Sequence, residues 1–326
     1  GVTPGALDAE GRMDSVATTW GLNNKSHADP EHPLKIFYSD FDQNGSLDVV
    51  EAHFDSTLQK VVPERGLSCS SRCMPFIRKK TPTFKAYGGA GLLDIFGKKL
   101  SSASQVSANT LAHKIFMNRG ESFEVNDMPD EAQLAPAFGV VVSDFDGDGN
   151  EDVFLAQNFF ATQVETPRCD AGRGLWMKGD GKGSLQPVPG QNSGIRIYGD
   201  MRGCAAADFD KDGRIDLAVT QNGAATKLLK NTKAKAGLRV RLIGEEGNRN
   251  AIGASIRLVF GDRKGPAREN HGASGYWSQN SVVQVMTMQE KPTAVWVRWP
   301  GGDETVTPVE TATGEVSIRQ DGTLVK

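Results

Sequence analysis

The chain has 326 residues, 38% hydrophobic and 24% charged, with a net charge of −3, enough to bury at least one sizeable core and room for two. No basic stripe suggests nucleic acid, and no apolar run is long enough to span a bilayer. The 37 glycines and the low aromatic content suit many short strands and tight turns.

Taken in chain order, residues 1–33 show little strand pattern and no acidic loop. They read either as a degenerate repeat or as the lead-in to the carboxy-terminal part of a longer protein. The start without an initiator Met favours the second reading, and no signal peptide is visible. The phrase SDFDQNGSLDVV follows at 39–50, and it returns as SDFDGDGNEDVF at 143–154 and ADFDKDGRIDLA at 207–218. Each copy is D-x-D-x-(D/N)-G-x-x-D. Alternate oxygen side chains gather round one point, the glycine permits a tight turn, and the last Asp closes the cage. Such oxygen-only ligands suit a hard divalent ion, calcium ahead of magnesium.

The candidate ligands are Asp40, Asp42, Asn44, Ser46 and Asp48 in the first loop. In the second they are Asp144, Asp146, Asp148, Asn150 and Asp152, and in the third Asp208, Asp210, Asp212, Arg214 and Asp216. Up to three calcium ions are implied. One such phrase alone reads as a polar turn, but three in one register argue against that. Asn44 in place of the third Asp weakens the first site.

The first copy also fits an EF-hand, with Glu51 at the twelfth loop position, but the others carry Leu155 and Val219 there. The flanks decide. Short apolar or β-branched runs at 35–38, 138–142 and 204–206 precede the loops, and similar runs at 47–50, 152–156 and 215–220 follow them. Runs this short read as strands, so each loop joins a β-hairpin.

The second and third loops start 64 residues apart (144 to 208) and the first and second 104 apart (40 to 144), which places an insertion at about 63–112 with short helical stretches. Beyond it, 115–125 and 174–188 share the plan of strand, Gly turn and second strand. One repeat is then two hairpins, the four strands of a propeller blade.

The loop at 157–176 mixes Glu165, Arg168, Asp170 and Arg173 with Phe159 and Phe160, and these four charged residues are candidate ligand contacts. An internally paired loop is the plainer reading. Four cysteines suggest an oxidising compartment, with Cys69–Cys73 and Cys169–Cys204 the preferred pairing among three, while zinc or free thiols are the alternatives. None of the five histidines lies in a catalytic motif. The polar stretch at 231–237 reads as a linker, and beyond it four period-two strands imply an antiparallel sandwich or small barrel that folds alone. Val295, Val297 and Trp299 share one face of the last strand. Tyr276, Trp277, Trp296 and Trp299 read either as core or as an aromatic platform for a sugar face.

The three loops resemble FG-GAP or VCBS repeats, the calcium-binding blades of integrin α-type propellers. The tail phrases NAIGASIR (250–257), GASGYWSQ (272–279) and VWVRWPGG (295–302) resemble the ASPIC/UnbV domain. The combination is that of the family that includes cartilage acidic protein. The resemblance implies an all-β chain: FG-GAP-type β-propeller blades over 1–232, in a closed or partial propeller with a helical insertion, then an ASPIC/UnbV β-sandwich or barrel over 233–326. It implies a secreted, periplasmic or cell-surface calcium-binding adhesion or binding module, whose ligand is a protein, glycan or small molecule. A calcium-stabilised enzyme of secondary metabolism is the alternative.

Overall fold

The structure, a computed structural model, describes residues 1–309 and 314–325. It is nearly all β and forms two compact units, Gly1–Asn23 with Ala112–Lys326, and Asn24–Leu111. Strands β1 (Val2–Gly5) and β2 (Asp14–Ala17) open the first unit. The second unit holds β3 (Leu34–Ser39), β4 (Asp48–Asp55), β5 (Lys60–Pro63) and β6 (Ser104–Ala108). Between β5 and β6 lie short helices α1 (Leu67–Cys73), α2 (Phe76–Lys80), α3 (Phe84–Gly88), α4 (Leu92–Phe96) and α5 (Lys98–Ser101).

The first unit then resumes with β7 (Lys114–Asn118), β8 (Phe123–Asp127), β9 (Ala137–Ser143), β10 (Asp152–Gln157), β11 (Leu175–Gly179) and β12 (Leu185–Pro187). After these come β13 (Asp200–Ala207), β14 (Asp216–Asn222) and β15 (Ala224–Leu229). The tail supplies β16 (Leu238–Ile243), β17 (Ser255–Phe260), β18 (Arg263–Lys264), β19 (Arg268–Glu269), β20 (Val283–Met286), β21 (Ala294–Arg298), β22 (Glu304–Pro308), β23 (Glu315–Arg319) and β24 (Leu324–Val325).

Of the two readings of residues 1–33, the structure agrees with the degenerate blade. Strands β1 and β2 pair with β7 and β8 in one antiparallel sheet, so a blade begins before the second unit and is completed after it. Two further antiparallel sheets follow, β9 to β12 and β13 to β15. Strand β9 packs against β1 on one side and β13 on the other, which sets the three sheets side by side like blades. Leu7, Val16, Val140, Val153 and Met177 fill the gap between the first two, and Val141, Phe154, Leu217 and Val219 the gap between the next two. No closed barrel forms among the described strands, so the arrangement is that of a partial propeller.

In the second unit β5, β4, β3 and β6 make a sheet whose apolar face (Phe37, Val50) meets Leu67, Ile77, Ile95 and Phe96 of the helices. The tail is a sandwich. One sheet runs β20-β16-β23-β24 and the other β18-β17-β21-β22, with Val240, Ile256, Val295, Val297, Trp299 and Ile318 between them. Strand β23 pairs with β16 in parallel, a departure from the all-antiparallel expectation. It follows β22 of the opposite sheet rather than a hairpin turn, and parallel neighbours need such a crossover.

Strands β1, β9 and β13 are the edges of their sheets, and unpaired edge groups need partners. The tail provides them. Gly275 N–H donates to Val2 O, Ser274 Oγ donates to Val140 O, and Ser278 Oγ and Asn280 Oδ1 accept from the N–H groups of Cys204 and Ala206. The 231–237 stretch is likewise tied down. Arg214 Nε donates to Ala234 O at 2.7 Å and Gly237 N–H to Gly213 O at 2.8 Å.

The expected disulfides are not there: all four cysteines are free thiols. Cys69 and Cys73 lie one turn apart on α1, where Cβ atoms stand about 5–6 Å apart, beyond the roughly 3.5–4.5 Å a disulfide spans. The Cys204 side chain is buried against Gly139 of β9, while Cys169 sits opposite Phe159 in the 157–176 loop.

Candidate metal centres

Each acidic phrase is the turn between two strands, β3 and β4, β9 and β10, or β13 and β14. In every copy the first Asp accepts from the backbone N–H groups four and five residues on. Asn44 and Gly45 donate to Asp40, Asp148 and Gly149 to Asp144, and Asp212 and Gly213 to Asp208, all at 2.8–3.2 Å. That wrap needs a left-handed residue at the sixth position, where Gly45, Gly149 and Gly213 have φ of 85°, 93° and 80°. The fifth residue accepts from the N–H two further on: Ser46 to Asn44, Asn150 to Asp148, Arg214 to Asp212. These bonds aim carboxylates inward. Ligand oxygens of Asp40, Asp42 and Asp48 lie within 4.8 Å of one another, as do those of Asp144, Asp146 and Asp152, and of Asp208, Asp210 and Asp216.

The ninth-position Asp has a second task. Its Oδ2 accepts the N–H of the residue seven positions back (Phe41, Phe145 or Phe209). In the second and third loops its Oδ1 accepts from farther along the chain, from Gly179 N–H at the end of β11 to Asp152 and from Asn231 N–H just beyond β15 to Asp216. Burial, with Asp146 and Asp144 nearby, pushes Asp152 up to about 8, and burial also raises Asp216. Asp40 is only partly buried, and the Gly45 N–H holds it below the usual carboxylate range. A divalent ion supplies the positive charge that would keep the buried carboxylates ionised. The donor set, carboxylate oxygens on a loop, fits calcium.

A fourth loop of the same geometry escaped the sequence reading. In residues 6–14 (ALDAEGRMD), Leu7 N–H donates to Asp14 Oδ2 at 2.9 Å and Asn118 N–H to Asp14 Oδ1 at 2.8 Å, and Gly11 has φ of 88°. Its fourth position, Ala9, is left-handed like Gln43, Gly147 and Lys211. The signal was present in the Asp8, Glu10, Gly11, Asp14 spacing, but Ala6 replaces the first Asp and hid it. Arg119 pairs with two of its carboxylates, with Nη1 at 2.6 Å from Asp8 and 3.7 Å from Glu10.

Lysines hold the corresponding carboxylates of two acidic loops. Lys178 pairs with Asp146 and Asp148, and Lys230 with Asp210 and Asp212. The tail backs the same two loops. Arg239, itself buried, binds Asp208 and reaches Glu315 at 2.8 Å. Thr287 Oγ1 donates to Asp144, and Arg268 pairs with Glu151 at 2.7 Å, both nearly fully buried.

The four ligand candidates in the 157–176 loop do not converge. Glu165 is exposed. Arg168 lies over the Phe160 ring and sits 4.0 Å from Asp170, both exposed. Arg173 turns inward and donates to Val188 O. The four aromatic residues divide: Trp296 and Trp299 are core, whereas Tyr276 is partly exposed and Trp277 is 92% exposed.

A family model described as an FG-GAP-like repeat matches residues 144–219, and one described as ASPIC and UnbV matches residues 244–324. The first match contains the second and third acidic loops, and the second covers most of the sandwich. No curated protein matches the chain. Fold and loops together define a repeat protein of propeller type with a β-sandwich tail. In particular, it combines an FG-GAP-like repeat with an ASPIC/UnbV domain carboxy-terminal to it.

Proposed function

We propose that this chain is an extracytoplasmic calcium-binding module whose work is binding or adhesion. The observation that carries the reading is the convergence of three carboxylates within 4.8 Å in each of three loops. Calcium in high supply favours a secreted, periplasmic or cell-surface setting; with all cysteines free, the disulfide argument for that setting falls away. The loops are far from the 157–176 segment in role: they brace hairpins, while Arg168, Asp170 and Glu165 offer exposed polar contacts. We assign those three to the ligand face and Arg173 to holding the loop.

The test is removal of the ion. At about a hundredfold excess over Kd each site adds about 2.7 kcal/mol. Chelation should then lower the melting temperature by roughly 5–10 °C for each ion removed, with calcium restoring more than magnesium. An unchanged melt, with no metal found by elemental analysis, would overturn the proposal.

A further inference from the structure

A cleft of about 710 Å³ opens between the sheet of β9 to β12 and the sheet of β13 to β15. Its size falls in the range of small-molecule sites. Phe145, Phe154, Trp176, Ile195, Leu217 and Leu229 make its apolar wall. The polar side chains are unevenly charged: Lys178, Lys230 and Lys233 line it against a single carboxylate, Asp146. The indole N–H of Trp176 is buried and has no acceptor, which is costly unless something supplies one.

We infer that this cleft binds a small amphipathic anion, an apolar body bearing a carboxylate or sulfonate, with Lys178 and Lys230 as the contacts for its charged group. The inference rests on the calcium reading of the loops, because both lysines pair with carboxylates that would serve as calcium ligands. Lys178 pairs with Asp146 and Asp148, and Lys230 with Asp210 and Asp212. A divalent ion in each loop takes over those carboxylates and leaves both ammonium groups at the cleft wall without partners. An anion there restores the pairing. Ion and anion therefore bind with positive linkage. A neutral apolar molecule fills the walls but leaves both lysines unpaired.

The probe is 8-anilinonaphthalene-1-sulfonate, compared with N-phenyl-1-naphthylamine, the same ring system without the sulfonate. Titrations followed by fluorescence, in excess calcium and in chelator, are expected to show one sulfonate site, about tenfold tighter than the neutral probe. The sulfonate should bind more tightly with calcium than without. Lys178→Gln combined with Lys230→Gln should erase the preference for the anion while retaining the neutral probe. Both lysines are more than two-fifths exposed, so the double variant should fold, and its melt checks this. Equal affinity for the two probes, sulfonate binding untouched by the double substitution, or calcium leaving sulfonate affinity unchanged would each overturn the inference. Calcium uptake is measured in the same samples. Uptake without anion preference sinks the cleft alone, whereas no uptake sinks the loop reading and the linkage with it.

Discussion

The loop at residues 6–14 and the acidic loop between β9 and β10 share one backbone and differ in how many carboxylates they gather. Both clamp the second residue's N–H with the last Asp, and both turn on a left-handed glycine. In the amino-terminal loop the first carboxylate is missing and the Arg119 guanidinium lies across Asp8 and Glu10. In the other, Asp144, Asp146 and Asp152 crowd together, backed by buried groups of the tail. The comparison separates two jobs within one motif. The ninth-position Asp clamps the hairpin in both loops, whereas only the second loop adds first- and third-position carboxylates within 4.8 Å of it. The backbone clamp is therefore present with or without the full carboxylate cluster.

The largest effect should come from the tail's grip on the second loop. Glu151→Ala leaves Arg268 buried without its carboxylate, which costs about 3–5 kcal/mol. Chemical denaturation should show that loss with and without calcium. A change under 1 kcal/mol would mean the tail does not brace this loop.

Next comes a pair of substitutions that contrasts the loops. Asp14→Ala strands two backbone donors and should cost roughly 1–3 kcal/mol for each group left buried. Its cost should be the same in calcium and in chelator. Asp146→Ala should instead destabilise strongly only when calcium is present, because Asp146 belongs to the cation cluster and not to the backbone clamp. Equal calcium dependence for the two variants would erase the distinction drawn here.

A smaller, pH-dependent effect belongs to His113. Its ring accepts from Thr19 N–H and faces Ala135 O, and burial holds its pKa below 6.5. The unfolded chain binds the proton more readily, so this contribution is intact above about pH 6.5 and is lost as the pH falls toward the folded value. Melting curves of the wild type and His113→Gln should converge as the pH drops through that window. A constant difference between them would count against it.

The acidic loops and the tail strands were legible in the sequence because each is a local pattern, an alternation of oxygens or of apolar residues. Val295, Val297 and Trp299 fall inward as their spacing implies. What the pattern hid was non-local. The blade of β1, β2, β7 and β8 is interrupted by the whole second unit, and one substitution, Ala6, masks its loop. The phrase GASGYWSQ stood out, but nothing local says that Ser274 and Ser278 pair the edges of β9 and β13. The 231–237 stretch looked free because its partners, Gly213 and Arg214, are distant in sequence. The cysteine count misled for a related reason: even numbers suggest pairs, yet helix α1 holds Cys69 and Cys73 at the wrong separation.

The most direct test of the central claim is the number of calcium ions bound per chain, read by titration calorimetry with elemental analysis of the dialysed protein. The loop geometry predicts up to three, with one lost in each of Asp42→Ala, Asp146→Ala and Asp210→Ala and none lost in Asp8→Ala. No bound calcium, or an ion lost on substituting Asp8, would contradict it.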